Sequence, residues 1–487
     1  MQRFLNLIFF TFILSSFGCD KKDACLDSGG CWDSVDNVCR KDEPNAQKLC
    51  NRNSTNFSTQ PYLDDFEALK IHISKSYANL MPLLKHNKLD PYELNQTTID
   101  AIKATSSESE AKDALVAFAK KFKDGHFSIR EPKKDDKHSD EAVKPIAKTL
   151  AGKAACEAMA FSWKKKFDFK FPLGGVTVLK KGEGEFSYLV AQENSKKVGI
   201  IRVADFRPSV YPEVCVKAWE EYKKAIKAQC DEDCQDDFKY VFLRKRIVDK
   251  FYESLEAVRK ENISDLVVDL TSNGGGSDWV EDITALLTEK KLICGRGGFV
   301  KHPHHLKNFK ELLADYKENT PKEKMKIANM EANVKTASES CDRTPIWTQK
   351  GHQLKCSLVG HPKGEKCKYN GELKYPGKKK YNGKLFLLTN GGTASAAEDI
   401  VARHLDSKTA TIIGGRTYGA GCGYINGGIR FQLPNSGLDV RVPDCVREMA
   451  DGTNEVVGIE PSIKLDMKKL KEQGFLKLLL SKVTDGK

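Results

Sequence analysis

The sequence has no apolar run long enough to cross a membrane as a stable helix, and the longest apolar run near the amino terminus, residues 4–14, is also too short. It also lacks internal repeats, nucleic-acid-binding motifs and any interleaving of arginine with aromatic residues. The net charge of +12 therefore predicts a lysine-rich, solvated surface and no nucleic-acid partner. Hydrophobic residues make up 40% of the 487 positions, which is enough for buried cores in two or three domains.

The amino terminus has the features of a secretion signal. A single charge, Arg3, precedes an apolar run over residues 4–14, and small residues lead into Cys19. The end of this segment resembles the lipobox of bacterial lipoproteins, although Ser16 occupies the position where leucine is usual. The resemblance implies a lipidated Cys19 that anchors the protein to a membrane of the bacterial cell envelope, facing the periplasm. Ordinary signal peptidase cleavage before Cys19 is the alternative.

The cysteine count is consistent with such an exported chain. There are 15 cysteines, and setting Cys19 aside leaves 14, an even number that allows up to seven disulfides in an oxidising compartment. Cys230 and Cys234 could in principle bind a metal, but no further ligands follow at zinc-site spacing. Local disulfides are therefore the favoured interpretation.

Helical and strand-like segments alternate between residues 240 and 415, which predicts an α/β fold. We expect, in order, a signal peptide (1–18), a cysteine-rich tether (19–60), a helical N-terminal domain (61–130), a linking region with strands (131–195), a core (196–466) with insertions at about 207–240 and 295–380, and a basic C-terminal helix (467–487).

Three histidines lie close together in the second insertion, at His302, His304 and His305. A metal site is conceivable there, because imidazole is a common metal ligand. A proline-interrupted surface loop is the favoured interpretation.

The rest of the chain is organised around the stretch KLFLLTNGGTASAAEDIVARHL, residues 384–405. A short apolar run is broken by Asn-Gly-Gly and followed by helical spacing, which predicts a buried strand, a tight turn and a helix that begins near Ser395. A serine hydroxyl there lies at the positive end of the helix dipole, and the N–H of Ala396 could bind a developing oxyanion. The alternative is that Ser395 only caps the helix.

Three further stretches contain candidate site residues: DGHFSI around His126, DLTSNGGGS around Gly275, and EVVGIEP from Glu455. Taken alone, His126 could simply end a helix and Glu455 could be a surface carboxylate. The glycine-rich turn could cradle a phosphate, but no lysine or hydroxyl follows at Walker spacing.

Together and in this order, these stretches resemble the C-terminal processing (tail-specific) serine peptidases and the related tricorn protease core. The resemblance covers about 196–466 and implies a serine peptidase core of the ClpP/crotonase type. It implies Ser395 as the nucleophile, with the N–H groups of Ala396 and Gly275 as the oxyanion hole. Bare glycine amides suit that role because a side chain would block the substrate. No metal or organic cofactor is implied.

One position departs from many members of that family, which pair the serine with a lysine in a T-x-G-K-G segment. Here the segment reads Thr-Tyr-Gly-Ala-Gly, and Ala420 stands in place of the lysine. The tricorn-like branch instead uses Ser–His–Glu, which implies His126 as the base and Glu455 as its supporting carboxylate.

The sequence therefore predicts an exported serine endopeptidase that cleaves extended or unfolded proteins, possibly near their C-termini, by acyl-enzyme chemistry. Its predicted partners are a protein or peptide substrate and, through the lipid anchor, a membrane. The rival hypotheses are a catalytically silent protein of the same fold that binds peptides or ligands, and an envelope scaffold. The absence of the dyad lysine supports them, and the retention of Ser395, His126 and Glu455 opposes them.

Overall fold

The computed structural model describes the following residues: 25, 31–33, 38–41, 57–132, 143–164, 167–193, 195–277, 279–293, 295–322, 324–339, 341–350, 358–360, 377–424 and 427–485. The predicted signal peptide, Cys19 and most of the predicted tether lie outside these ranges. Within them, no helix is long and apolar enough to span a bilayer.

A seven-stranded sheet forms the centre of the molecule. Its strands, in chain order, are β1 (Thr177–Gly182), β2 (Tyr188–Glu193), β3 (Lys196–Arg202), β4 (Asp265–Asp269), β5 (Lys384–Thr389), β6 (Thr411–Gly414) and β7 (Ile463–Lys464). They lie in the spatial order β7-β6-β5-β4-β3-β2-β1. The strands from β3 to β7 pair in parallel, and β1, β2 and β3 pair antiparallel. Every residue of β4 is buried, as expected for a parallel strand covered on both faces.

Helices cover both faces of this sheet, which confirms the predicted α/β fold class. The helices of the described residues are α1 (Gln60–Ser76), α2 (Leu80–His86), α3 (Pro91–Lys103), α4 (Glu108–Lys121), α5 (Gly152–Ala158), α6 (Pro212–Tyr222), α7 (Glu232–Asp237), α8 (Arg244–Arg259), α9 (Val280–Leu286), α10 (Leu306–Asn319), α11 (Lys324–Ala337), α12 (Ala396–Asp406) and α13 (Phe475–Asp485). One face packs on α6, α8, α9 and α12, and the other packs on α13.

The helices α1 to α4 form the predicted helical N-terminal region. Their apolar sides pack against strands from the far end of the chain, Ile429–Gln432 and Asp439–Val442. Strand Ser128–Arg130 follows α4 and pairs antiparallel with Asp439–Val442. This pairing brings the segment around His126 to the carboxyl-terminal part of the core.

The two predicted insertions contain ordered elements. In the first, Trp219 of α6 is fully buried in the main core, because α6 is amphipathic and docks its apolar side there. In the second, α10 and α11 follow strand Arg296–Val300, which pairs antiparallel with Cys445–Glu448. The preferred interpretation of the histidine cluster there as a surface loop was wrong for His305, whose side chain is 1% exposed.

Disulfides join cysteines across the described residues, namely Cys25–Cys39, Cys156–Cys215, Cys230–Cys234 and Cys422–Cys445. Cys230 pairs with Cys234 at a sequence separation of 4, which agrees with the local disulfides favoured for this insertion. Cys422–Cys445 ties the loop after β6 to strand Cys445–Glu448.

Candidate active site

Ser395 stands between strand β5 and helix α12, as the sequence predicts. Its backbone has φ 56° and ψ −119°, a conformation that residues with a side chain seldom adopt and that stores about 1–3 kcal/mol of strain. The resulting turn from strand to helix resembles a nucleophile elbow in its geometry, without the GxSxG sequence. The side chain of Ser395 is partly exposed at this turn.

A buried carboxylate, that of Glu398, holds this conformation in place. Glu398 is 0% exposed, and its two oxygens accept hydrogen bonds from five donors. The donors are Ser395 N at 2.9 Å, Thr417 Oγ1 at 2.6 Å, Gly419 N at 2.7 Å, Ala420 N at 2.9 Å and Gly421 N at 3.2 Å. One carboxylate therefore fixes both the serine turn and the loop over residues 417–421, which we call the Ala420 loop.

His126 lies against this loop. Its Nδ1 is 3.1 Å from the carbonyl oxygen of Ala420 and 3.7 Å from Oδ1 of Asp124. A carbonyl oxygen only accepts, so Nδ1 carries the ring proton and Nε2 is left as the basic nitrogen. Ala420 thus contributes its carbonyl group to the orientation of the histidine.

Two neighbours restrict the His126 imidazole further. A Cβ atom at Gly423, where φ is +76°, would lie 2.6 Å from Nε2, so only glycine leaves room for the ring. Asp124 accepts a hydrogen bond from the backbone N–H of His126 at 2.8 Å and one from Tyr77 Oη at 2.6 Å. Burial raises the pKa of Asp124, while the neighbouring His126 lowers it.

The structure brings Ser395 and His126 to the same loop without a direct hydrogen bond between them in the described part of the chain. Glu398 links the serine turn to the Ala420 amide, and the Ala420 carbonyl faces the imidazole. Catalytic hydrogen bonds in serine hydrolases are often long before the substrate binds, and they shorten in its complex.

Glu455 is almost fully buried, and its partner is Arg447. The guanidinium Nε of Arg447 donates to Glu455 Oε2 at 2.6 Å, and its Nη2 donates to the carbonyl oxygen of Ser395 at 2.7 Å. Glu455 therefore contacts the serine turn through Arg447, whereas Asp124 and Ala420 lie beside Nδ1 of His126. Burial raises the pKa of Glu455 to about 7, although Arg447 lowers it in part.

The predicted oxyanion residues flank Ser395. Gly275 has φ +90°, and a Cβ atom on it would lie 2.7 Å from both Ala396 N and Ser395 Cβ. The N–H of Gly275 donates to Asn273 Oδ1 at 2.9 Å. Within the described residues, the N–H groups of Ala396 and Gly276 make no hydrogen bond. These two amides are thus free to bind a developing negative charge.

Sequence analysis missed Glu398, Arg447 and Asp124 as site residues. Glu398 and Asp124 lie inside the motifs TASAAE and DGHFSI, but the sequence did not indicate a role for either residue. Arg447 lies on a strand with no motif around it, and only the three-dimensional structure places its guanidinium against Ser395.

A strained serine at a strand-to-helix turn, an amide beside it that makes no hydrogen bond within the described residues, and an oriented imidazole are groups that serine-type peptidases use. Residues 197–465 match the model of peptidase family S41, which is more than half of the chain. The chain therefore belongs to peptidase family S41, and the predicted family and enzyme class are confirmed. No curated protein matches the chain in sequence.

Solved structures of mature CPAF share the fold at low sequence identity. Mature CPAF has a TM-score of 0.55 and 13% identity, with 88% of this chain and 98% of that chain covered. Mature CPAF complexed with lactacystin has a TM-score of 0.53 and 14% identity, with coverage of 88% and 99%. A putative peptidase from Parabacteroides merdae ATCC 43184 has a TM-score of 0.43 and 16% identity, with coverage of 87% and 98%.

Proposed function

We propose that the protein is an exported serine endopeptidase in which Ser395 is the nucleophile and His126 is the general base. The observation that carries the proposal is the contact between Nδ1 of His126 and the Ala420 carbonyl, which leaves Nε2 basic on the loop that Glu398 fixes to the serine turn. A histidine in this place supplies the base that a lysine at position 420 would otherwise provide.

In the proposed reaction, Nε2 of His126 takes the proton of Ser395 Oγ as this oxygen attacks the scissile carbonyl. The oxyanion forms beside Ala396 N and an amide of the glycine turn. Gly275 is the residue that the sequence indicates, and Gly276 is the neighbour with an unpaired N–H. The imidazolium then protonates the leaving amine, and an acyl group remains on Ser395. A water that gives its proton to Nε2 releases the second product.

The role of Glu455 in this proposal is positioning. Its carboxylate holds Arg447, whose guanidinium binds the carbonyl oxygen of Ser395 and lies 3.4 Å from that of Gly421 in the Ala420 loop. Glu455 therefore supports His126 through the loop. Replacing it with glutamine should leave a slow enzyme, because the nucleophile and the base remain in place.

The substrate is a protein or peptide, as for any peptidase, and we propose that it binds in an extended form. Gly274 and Gly276 are exposed beside the serine turn, and a Cβ atom on Gly274 would meet no atom within 4 Å. Bare, exposed backbone of this kind suits pairing with an extended chain. A preference for C-terminal segments is part of the proposal.

The experiment is cleavage of an unfolded protein by the purified wild type and by Ser395→Ala, with the products mapped by mass spectrometry. The proposal expects internal cleavage by the wild type only. A wild type that binds the unfolded protein without cleaving it would support the rival hypothesis of a catalytically silent binding protein. Two observations favour that rival: within the described residues no hydrogen bond joins Ser395 to His126, and residue 420 is alanine and not lysine.

We propose that export uses the amino-terminal signal and that Cys19 carries a lipid anchor on the periplasmic side of the cell envelope. The disulfides support an oxidising compartment. Mass spectrometry of the mature amino terminus tests the anchor. A diacylated Cys19 is expected, and an unmodified Cys19 or cleavage elsewhere contradicts it.

A further inference from the structure

A second cluster of polar side chains lies at the start of strand Cys445–Glu448, formed by His304, His305 and Asp444. One possible ligand atom from each residue lies within 4.8 Å of the other two. Nε2 of His304 is 3.4 Å from Oδ2 of Asp444, and the centroids of the two imidazole rings are 5.2 Å apart. Residues far apart in the sequence therefore converge here through the pairing of Arg296–Val300 with Cys445–Glu448.

Three of the four imidazole nitrogens of this cluster are buried without a hydrogen-bond partner among the described residues. Both ring nitrogens of His305 lack a partner within the described residues, as does Nε2 of His304. A buried polar atom without a hydrogen bond destabilises the folded protein, so such atoms usually have a partner or bind a ligand. The side chain of His304 is 29% exposed, which leaves a path to the cluster from solvent.

The surroundings hold the rings in fixed positions. His302 Nδ1 accepts a hydrogen bond from the backbone N–H of His304 at 3.1 Å, at the start of the short turn Pro303–His305. The ring of His305 stacks on Phe309 with an interplanar angle of 16° and centroids 5.4 Å apart, and Phe299 lies on another side. An apolar shell of this kind orients the imidazole and limits solvent access to one side of the cluster.

We propose that His304, His305 and Asp444 bind one divalent transition-metal ion, with zinc as the best fit. Two imidazoles and one carboxylate are ligands that zinc accepts, with a fourth position for water. Ligand atoms about 2.0–2.2 Å from a tetrahedral zinc lie roughly 3.3–3.5 Å from one another, and the His304–Asp444 distance fits this spacing. The ligand atoms of His305 need only a small movement to join them.

The nearby carboxylate of Asp444 compensates part of the charge of the ion.

The proposed site would brace the second insertion against the loop beside the peptidase site. The N–H of Asp444 donates to the carbonyl oxygen of Gly423 at 3.2 Å, and Gly423 packs against the ring of His126. The ion would therefore act on the fold and take no part in the peptidase chemistry.

The test is zinc content of the untagged, full-length protein, measured by mass spectrometry after chelator treatment, addition of zinc and dialysis. The wild type and the control His86→Ala, which removes an exposed histidine on α2, should retain about one zinc ion per chain. His305→Ala and Asp444→Asn should lose it, with affinity at least roughly 100-fold lower. Zinc should also raise the melting temperature of the wild type but of neither variant.

Circular dichroism shows whether each variant folds. If His305→Ala does not fold, His304→Ala takes its place in the test, because His304 is more exposed and its replacement disturbs the core less. The proposal is overturned if the wild type retains no zinc. It is equally overturned if a folded His304→Ala or His305→Ala binds zinc as tightly as the wild type.

Discussion

Nδ1 of His126 lies 3.1 Å from the carbonyl oxygen of Ala420, the residue that stands where related peptidases carry the lysine of a Ser–Lys dyad. The same residue binds Glu398 through its N–H at 2.9 Å. The backbone of residue 420 therefore orients the histidine that we propose as the base in place of a lysine.

The first prediction concerns Glu398. In Glu398→Gln an amide replaces a carboxylate oxygen, so an NH₂ group faces N–H donors that previously had an acceptor. We expect the unfolding free energy to fall by about 3 kcal/mol and kcat/KM to fall by at least about 100-fold, because the serine turn and the Ala420 loop move apart. Denaturant unfolding and peptide cleavage measure the two effects.

The matched control is Glu460→Gln, whose side chain is 58% exposed and pairs with Arg416 and Lys464 at the surface. It should change stability and turnover little. Equal activity of Glu398→Gln and this control would show that the buried carboxylate does not position the site.

The second prediction concerns the space for the imidazole. Gly423→Ala adds a Cβ atom 2.6 Å from Nε2 of His126 and also strains a backbone with φ +76°. Gly437→Ala introduces the same kind of strain, with φ +66°, but its Cβ atom meets no atom within 4 Å. Both variants should lose about 1–2 kcal/mol of stability, and only Gly423→Ala should lose most of its kcat. Similar kcat values in the two variants would argue against His126 as the base.

The third prediction concerns Glu455 and pH. Its pKa is raised by burial from 4.5 to about 7, so between these values the folded protein holds a proton that the unfolded chain has released. The contribution of Glu455 to the unfolding free energy should therefore fall as pH rises from about 4.5 to 7, by up to about 3 kcal/mol.

Urea unfolding of the wild type and Glu455→Gln at pH 5 and pH 8 measures this contribution. The stability of the wild type relative to the variant should be lower at pH 8 than at pH 5. A difference between the two proteins that is independent of pH would mean that Glu455 titrates alike in the folded and unfolded states.

The fourth prediction concerns the disulfide Cys422–Cys445, which connects the segment after the Ala420 loop to the strand that carries Arg447. Replacing both cysteines with serine should lower stability by about 2–5 kcal/mol and reduce turnover at least about 10-fold. The control is the double serine variant of Cys230–Cys234, a disulfide outside the site whose cysteines have a sequence separation of only 4. Full turnover of the Cys422–Cys445 variant would show that the disulfide serves stability alone.

The sequence predicted those features of the site that local patterns control. The apolar run of β5, the Asn-Gly-Gly turn and the helical spacing after Ser395 are adjacent in the chain, and the structure places them as expected. His126 was proposed as the base from the family resemblance of its motif, and only the pairing of Ser128–Arg130 with Asp439–Val442 brings it to the core.

Contacts between distant segments could not be predicted in this way. The donors to Glu398 come largely from a loop after β6, and their convergence depends on the order of strands in the sheet. The partner of Glu455 is an arginine on a strand without a motif. The burial of His305 likewise follows from the pairing of two strands that are more than a hundred residues apart in the sequence. The polar, proline-containing sequence around His305 by itself favours a surface loop.

The central claim, that His126 activates Ser395, is tested most directly by the rate at which a fluorophosphonate labels the protein, with the modified residue mapped by mass spectrometry. We predict labelling of Ser395 in the wild type and in the control His86→Ala, and a rate lower by at least about 1,000-fold in a folded His126→Ala variant. Labelling of Ser395 in His126→Ala at the wild-type rate would contradict the account and require another base.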